Sequence, residues 1–253
     1  MLEPQEPIST RVENYVRYRP GYPRGVLDLL REGCGLVPSW VVADIGAGPG
    51  NLTRLFLENG NAVFAVEPHR QMRMAGERLL RGHPGFVSVA GSAEHTPLAD
   101  GSVNLVVAGQ AFHLFDPLGC KRECRRIMRA PHWVALVWNV FRVESSSMLA
   151  GYELLLQHYA LHPAAAHLRV VAPDDVLAAF FAPAGYDQAS LPNAQHFDLE
   201  GLTGRLLSVA SMPEPGHPSY GAMLEELRGV FEAHQREGNV TFEYDTTVYY
   251  GRI

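Results

Sequence analysis

The chain is poor in cysteine. Three in 253 residues, Cys34, Cys120 and Cys124, make no disulfide framework at this length, so a reducing, cytoplasmic setting is expected. Cys120 and Cys124 stand one helical turn apart, but no companion ligands follow at zinc spacing, and no metal site is expected. Positive charge is also scarce: 21 Lys and Arg face 27 Asp and Glu, for a net charge of −6, and the basic residues form no long run. Affinity for a phosphate backbone rests on basic patches, so no nucleic-acid partner is expected. No apolar stretch approaches the roughly 18 residues needed to span a membrane. The opening MLEPQEPIST is polar and lacks the apolar segment of a signal peptide. No repeat period is visible. What is present is ordinary for a globular chain, 47% apolar and 19% charged, with one main core expected.

From position 40 apolar strand patterns alternate with helical ones. Strands are expected at 40–45, 62–67, 86–90, 102–108 and 132–139, and helices at 51–59, 69–80 and 117–129. In the helix over 69–80, Met72, Ala75 and Leu79 are expected to face inward. Such alternation gives an α/β fold: a largely parallel sheet of about seven strands, helices on both faces, and ligands beyond the carboxyl ends of the strands. Ahead of it, helices are expected at 10–18, capped by Ser9 or Thr10, and at 24–32, ended by Gly33 and Gly35. After 140 the regularity fades. Helices are expected over 146–160, 173–182, 201–209 and 219–236, the last with Leu224, Leu227, Val230 and Phe231 on one face, and 187–198 holds a strand candidate. The segment 239–250 is rich in β-branched and aromatic residues and is expected as a strand at the sheet edge. No linker marks a second domain. One domain is therefore expected, with N-terminal cap helices (1–35), a core (36–140), a helical cap and substrate region (141–236) and a terminal strand (237–253).

The first strand runs into Asp44-Ile45-Gly46-Ala47-Gly48-Pro49-Gly50-Asn51. Glycines at every second position allow a tight turn in which backbone N–H groups and a helix start can approach a ligand. The dinucleotide fingerprint G-x-G-x-x-G would need its third glycine at 51, which is Asn51, so a nicotinamide oxidoreductase is disfavoured. Asp44 suits a residue that orients the glycine turn from the helix start. Glu67, followed by Pro68, ends the second strand; it is placed to accept hydrogen bonds from two ribose hydroxyls, or else is a solvated strand-end carboxylate.

The form D-x-G-x-G-x-G, here Asp44, Gly46, Gly48 and Gly50, resembles motif I of class I S-adenosylmethionine (SAM)-dependent methyltransferases. Gly91-Ser92-Ala93-Glu94-His95-Thr96-Pro97 resembles the family's third-strand loop, with Ser92 where an acidic residue reads the adenine amino group. Gly109-Gln110-Ala111-Phe112-His113-Leu114-Phe115-Asp116 resembles the Q-A-x-H-W-F-D signature of the type-11, UbiE-like group and its relatives near trans-aconitate methyltransferase, with Leu114 in place of tryptophan. Tyr18-Arg19-Pro20-Gly21-Tyr22-Pro23 is similar to the group's entry motif, and Leu206–Pro213 and Val248–Gly251 resemble it as well. The resemblance implies a Rossmann-like class I methyltransferase with SAM as cofactor and S-adenosylhomocysteine as product. It implies cofactor contacts from Asp44, Gly46, Ala47, Gly48, Gly50, Glu67, Pro68, Met72, Ser92, Ala93, Glu94, Gln110 and Tyr18. Tyr22, Arg19 and Phe112 are its candidate substrate contacts. His113 is the candidate general base; packing against the cofactor is its alternative role. Tyr18 and Tyr22 suit either a wall of the cofactor pocket or hydrophobic anchors, and the arginines near them either a carboxylate or a solvated basic face. The acceptor expected is a small molecule offering an O-, N- or C-nucleophile, a carboxylate among them. A catalytically silent SAM-binding regulatory protein is the alternative. A monomer or a homodimer fits equally.

Overall fold

The computed structural model describes residues 8–162 and 171–253. Residues 1–7 and 163–170, the latter inside the expected cap region, lie outside the described residues. The chain forms two compact units. The smaller takes in residues up to Pro20, 141–162 and 194–244; the larger takes in 21–140, 171–193 and 245–253.

The larger unit carries the alternation. Helix α2 (Gly25–Cys34) precedes β1 (Val41–Ile45), α3 (Asn51–Glu58), β2 (Ala62–Val66), α4 (Arg70–Leu80), β3 (Phe86–Val89), β4 (Val103–Gly109), α5 (Pro117–Ile127) and β5 (Met128–Phe141). Later come α7 (Asp174–Phe181), β6 (Tyr186–Phe197) and β7 (Val240–Arg252). The seven strands are ordered β3-β2-β1-β4-β5-β7-β6, and the pairings from β3 through β5 are parallel. Val42, Ala43, Asp44 and Ile45 are all buried, as expected of a strand covered on both faces. The chain reverses its winding at β1 and β4, so their carboxyl ends flank the crevice where α/β sheets bind ligands. One apolar cluster, with Val106, Ile127 and Trp138, covers one set of strand side chains; another, with Leu27, Phe56 and Leu105, covers others.

Several expectations need correction. The terminal strand does not lie at the sheet edge: β7 is inserted between β5 and β6. Thr246, Thr247, Val248 and Tyr249 are consecutively buried, as an interior strand requires. By contrast β6 alternates exposed and half-buried positions and contains Pro192, which an edge tolerates. In α4 the inward face is Ala75, Gly76 and Leu80, while Leu79 is 39% exposed. Gly76 sets that phase, because a Cβ there would fall 3.3 Å from the Pro49 carbonyl oxygen. Gly33 stays inside α2, and Gly35, with φ +77°, ends it.

The smaller unit contains α1 (Thr10–Tyr18), α6 (Ser147–Tyr159), α8 (Leu199–Leu207) and α9 (Tyr220–His234). Ser9 caps α1 by accepting the Val12 N–H at 3.4 Å. Helix α9 buries Met223, Leu227 and Phe231, with Leu224 and Val230 half-buried at the margins. Their cluster includes Tyr152, Leu202, Leu206 and Phe242. Each such side chain contributes about 1.5–3 kcal/mol on leaving water. No helix among the described residues is long and apolar enough to cross a membrane.

Candidate functional site

In the larger unit the turn after β1 passes through φ +69°, +56° and +92° at Gly46, Gly48 and Gly50. The three glycines serve different ends. A Cβ on Gly46 would meet the Ala111 Cβ at 2.7 Å, and one on Gly50 would meet Leu80 at 2.5 Å, so both admit close packing. A Cβ on Gly48 would meet nothing within 4 Å; its α-carbon faces open space. The turn's N–H groups are engaged within the protein. Gly46 and Ala47 donate to the Val66 carbonyl at 2.9 and 3.1 Å, and Gly48 donates to Glu67 Oε2 at 2.8 Å. This corrects the expectation that those donors are turned toward a ligand: they tie the turn to the end of β2, and the glycines supply clearance instead.

Asp44 ends the apolar run of β1 and has no exposed surface. Its Oδ2 accepts the Thr53 hydroxyl at 2.6 Å, and its Oδ1 has no hydrogen-bond partner among the described residues. Burial pushes its carboxyl up to about 7, with Glu67 adding to the rise and hydrogen bonds from Thr53 opposing it. Glu67 is buried as well, at 8% exposure. It accepts the His69 N–H on Oε1 at 2.7 Å and the Gly48 N–H on Oε2, so the solvated-carboxylate reading does not hold. Each of its oxygens retains a second lone pair for a hydroxyl donor. Pro68 beside it is exposed, and Met72, half-buried, lies in the first turn of α4.

The loop after β3 folds on itself. Ser92 donates its N–H to the His95 carbonyl at 3.2 Å, and Ala93 is buried. Glu94 Oε1 accepts the Asp116 N–H at 3.0 Å, which braces this loop against the start of α5. After β4, Gln110 adopts φ +57° and donates its side-chain amide to the Asn139 carbonyl at 3.1 Å. The Tyr22 hydroxyl packs on the Gly109 α-carbon, 2.5 Å from where a Cβ would stand. His113 lies on the surface, in the short turn Phe112–Leu114; partial desolvation lowers its pKa, so its imidazole is neutral at pH 7 and able to accept a proton.

Phe112 does not suit a substrate contact. It is 1% exposed, with its ring 4.6 Å from Phe180 and 6.5 Å from Trp138, and it anchors the turn that carries His113. Tyr18 and Arg19 belong to the smaller unit. The Tyr18 ring lies 1.9 Å from where a Cβ on Gly204 would stand and is 9% exposed, which is the anchor role rather than a cofactor wall. Arg19 donates to Ser208 Oγ at 3.0 Å. Two residues escaped sequence reasoning. Thr53 is the hydroxyl that holds Asp44. Asn139, 3% exposed, joins the Gly21 carbonyl, the Thr246 hydroxyl and the Asn193 amide at the end of β5. A polar residue closing the apolar run HWVALVWN was its only signal.

The donor set suits SAM. The Asp44 Oδ1, unpartnered among the described residues, has lone pairs left for a donor such as the SAM ammonium. The open face of Gly48 leaves room beside it, and Glu67 offers lone pairs to a ribose diol. Among the described residues no group of three or more His, Cys, Asp or Glu could hold a metal ion.

Comparison with known proteins agrees. The family described as "Methyltransferase domain" matches residues 43–135. An uncharacterised methyltransferase of Mycobacterium tuberculosis is 38% identical over 132 residues, 52% of this chain and 51% of that protein. One of Schizosaccharomyces pombe is 30% identical over 134 residues, 53% of this chain and 52% of that protein. The chain thus spans about half the length of the curated relatives it matches. A solved structure assigned to a type II methyltransferase of Anaeromyxobacter dehalogenans superposes with TM-score 0.64 at 22% identity, covering 93% of this chain and 98% of that one. A second, assigned to a methyltransferase of an antibiotic biosynthesis pathway in Anabaena variabilis, gives 0.62 at 20%, covering 96% and 99%. These likenesses establish the fold, a seven-stranded Rossmann-like sheet of the class I methyltransferase type, and residues 43–135 match the methyltransferase-domain family.

Proposed function

We propose that this protein transfers the methyl group of SAM to a small-molecule acceptor bearing an O-, N- or C-nucleophile. The observation that carries the reading is Asp44: a buried carboxylate with an unpaired oxygen at the tip of β1, beside a turn whose middle glycine faces open space. When bound, SAM supplies a methyl already activated on a sulfonium. The chain then has to bind and orient. Asp44 holds the ammonium with a charge-assisted hydrogen bond, roughly twice as strong as a neutral one. Glu67, pre-set by two backbone donors, accepts from the ribose hydroxyls. Ser92 and Ala93 lie where the adenine is expected, and Gln110 and Tyr22 stand at the end of β4. Positioning of this kind can supply roughly 7–11 kcal/mol at best. His113 accepts the proton where the acceptor has one to lose. The test is a transfer assay with methyl-labelled SAM over a panel of small carboxylates, phenols and amines. Label should pass to at least one class, and Glu67→Ala should cut the rate tenfold or more. No labelled product from any class would count against the reading.

A further inference from the structure

Among the described residues of the smaller unit, two guanidinium groups, one buried and one half-buried, have no carboxylate opposite them. Arg205 lies in α8 and is 1% exposed. Its Nε has no hydrogen-bond partner, and its Nη1 lies 3.5 Å from the Ser208 hydroxyl. Arg19, one residue past α1 and only half-buried, directs its Nε to the same hydroxyl at 3.0 Å and its Nη2 to the Ser208 carbonyl at 3.3 Å. That hydroxyl donates its own proton to the Arg205 carbonyl at 2.7 Å, so one neutral oxygen stands between two cations. The remaining walls are aromatic. The Phe141 ring is 5.5 Å from the Arg205 guanidinium carbon, and the Tyr15 ring is 5.0 Å from that of Arg19. Tyr152 is fully buried and its hydroxyl has no partner. The Tyr244 hydroxyl donates to Gln195 Oε1 at 2.8 Å and also hydrogen-bonds the Arg205 side chain. Among the described residues no Asp or Glu forms an ion pair with Arg19 or Arg205. Burial, and then the charge of Arg205, push the Arg19 guanidinium down to about 10.

Two like charges withdrawn from water and left unpaired oppose folding. A guanidinium fork matches the two oxygens of a carboxylate or phosphate, and two such forks on one hydroxyl leave further N–H donors over. We infer that the smaller unit binds the oxyanion of a small molecule, a carboxylate or a phosphate group, between Arg19 and Arg205, with the Tyr152 hydroxyl as a neutral donor. Entry is past Arg19, the half-buried member. The site rests on residues of the smaller unit alone and stands apart from the methyl-transfer reading.

Thermal unfolding of the full chain tests it, with inorganic phosphate and succinate titrated at ionic strength held constant with sodium chloride. At least one probe should raise the midpoint along a saturating curve, by about 5 °C or more at a hundred times its dissociation constant. Arg19→Gln should weaken that response at least tenfold, and Arg205→Met should abolish it while leaving S-adenosylhomocysteine binding in place. If Arg205→Met does not fold, the wild-type curve and Arg19→Gln decide. No saturating response to either probe, or the same response in Arg19→Gln, would overturn the inference. The stronger of the two probes identifies the anion class.

Discussion

A carboxyl group with no exposure and one oxygen unpartnered among the described residues stands one residue before the end of β1, and its protonation makes it measurable. Asp44 is pushed by burial from 3.8 up to about 7, so the folded chain keeps a proton that the unfolded chain releases above about pH 4. Stability from this group is therefore full at low pH and is lost as pH rises through about 7. Urea unfolding of Asp44→Asn without ligand should show a flatter dependence between pH 4 and 7 than wild type; an identical slope would contradict the assignment. The glycines of the turn separate by the same reasoning. Gly46→Ala meets Ala111 and should cost about 1–3 kcal/mol of stability. Gly48→Ala meets nothing and should cost about 1–2 kcal/mol from its positive φ alone, yet lose most of its affinity for S-adenosylhomocysteine. Equal effects of the two on binding would show that Gly48 does not face the ligand. The motif made these positions legible. Thr53 was not, because a threonine one turn into an amphipathic helix carries no sign that its hydroxyl points back at a strand.

Among the elements, α5 is pinned by a buried acid. Glu123 faces Arg126, which donates Nε to Oε2 at 2.8 Å and Nη2 to Oε1 at 2.6 Å, while the Thr96 N–H and hydroxyl approach Oε1 at 2.7 and 2.6 Å. Burial acts to raise its pKa, but the Arg126 and Thr96 hydrogen bonds prevail and hold it at about 2. Its contribution is then present above about pH 4.5 and is lost as pH falls toward 2. Glu123→Gln should cost about 3 kcal/mol at pH 7, with the difference from wild type shrinking as pH drops from 5 to 3. A cost that does not change with pH would rule out the ion pair as its source. At this scale the strand–helix alternation from 40 to 139 was readable because period and apolar runs agree. The place of β7 was not: its sequence says strand, and only the consecutive burial of Thr246 to Tyr249, against the polar and Pro192-containing β6, assigns it to the interior. The phase of α4 was missed because Leu79 and Leu80 are equally apolar, and the choice between them falls to Gly76 against Pro49.

The molecule as a whole is two compact units threaded by one chain that crosses between them several times. Composition gave little hint of this, since three of the crossings, at 140/141, 193/194 and 244/245, lie inside β5, β6 and β7. All three thiols lie in the larger unit. Cys120 and Cys124 are buried with their sulfurs 3.7 Å apart, the Cys124 thiol is pushed well up by that contact and by burial, and burial pushes half-buried Cys34 up to about 11. A disulfide-exchange reagent at pH 8 should find no fast-reacting thiol in the folded chain and three after unfolding in guanidinium; a fast native reaction would contradict the burial. The central claim, that the end of β1 and the glycine turn hold SAM, is tested most directly by calorimetric titration of S-adenosylhomocysteine at pH 7 into wild type and Asp44→Asn. The account predicts saturable one-to-one binding by wild type and binding at least tenfold weaker in Asp44→Asn, the loss of one charge-assisted hydrogen bond of about 1.5–3 kcal/mol. No binding by wild type, or equal affinity in the two, would contradict it.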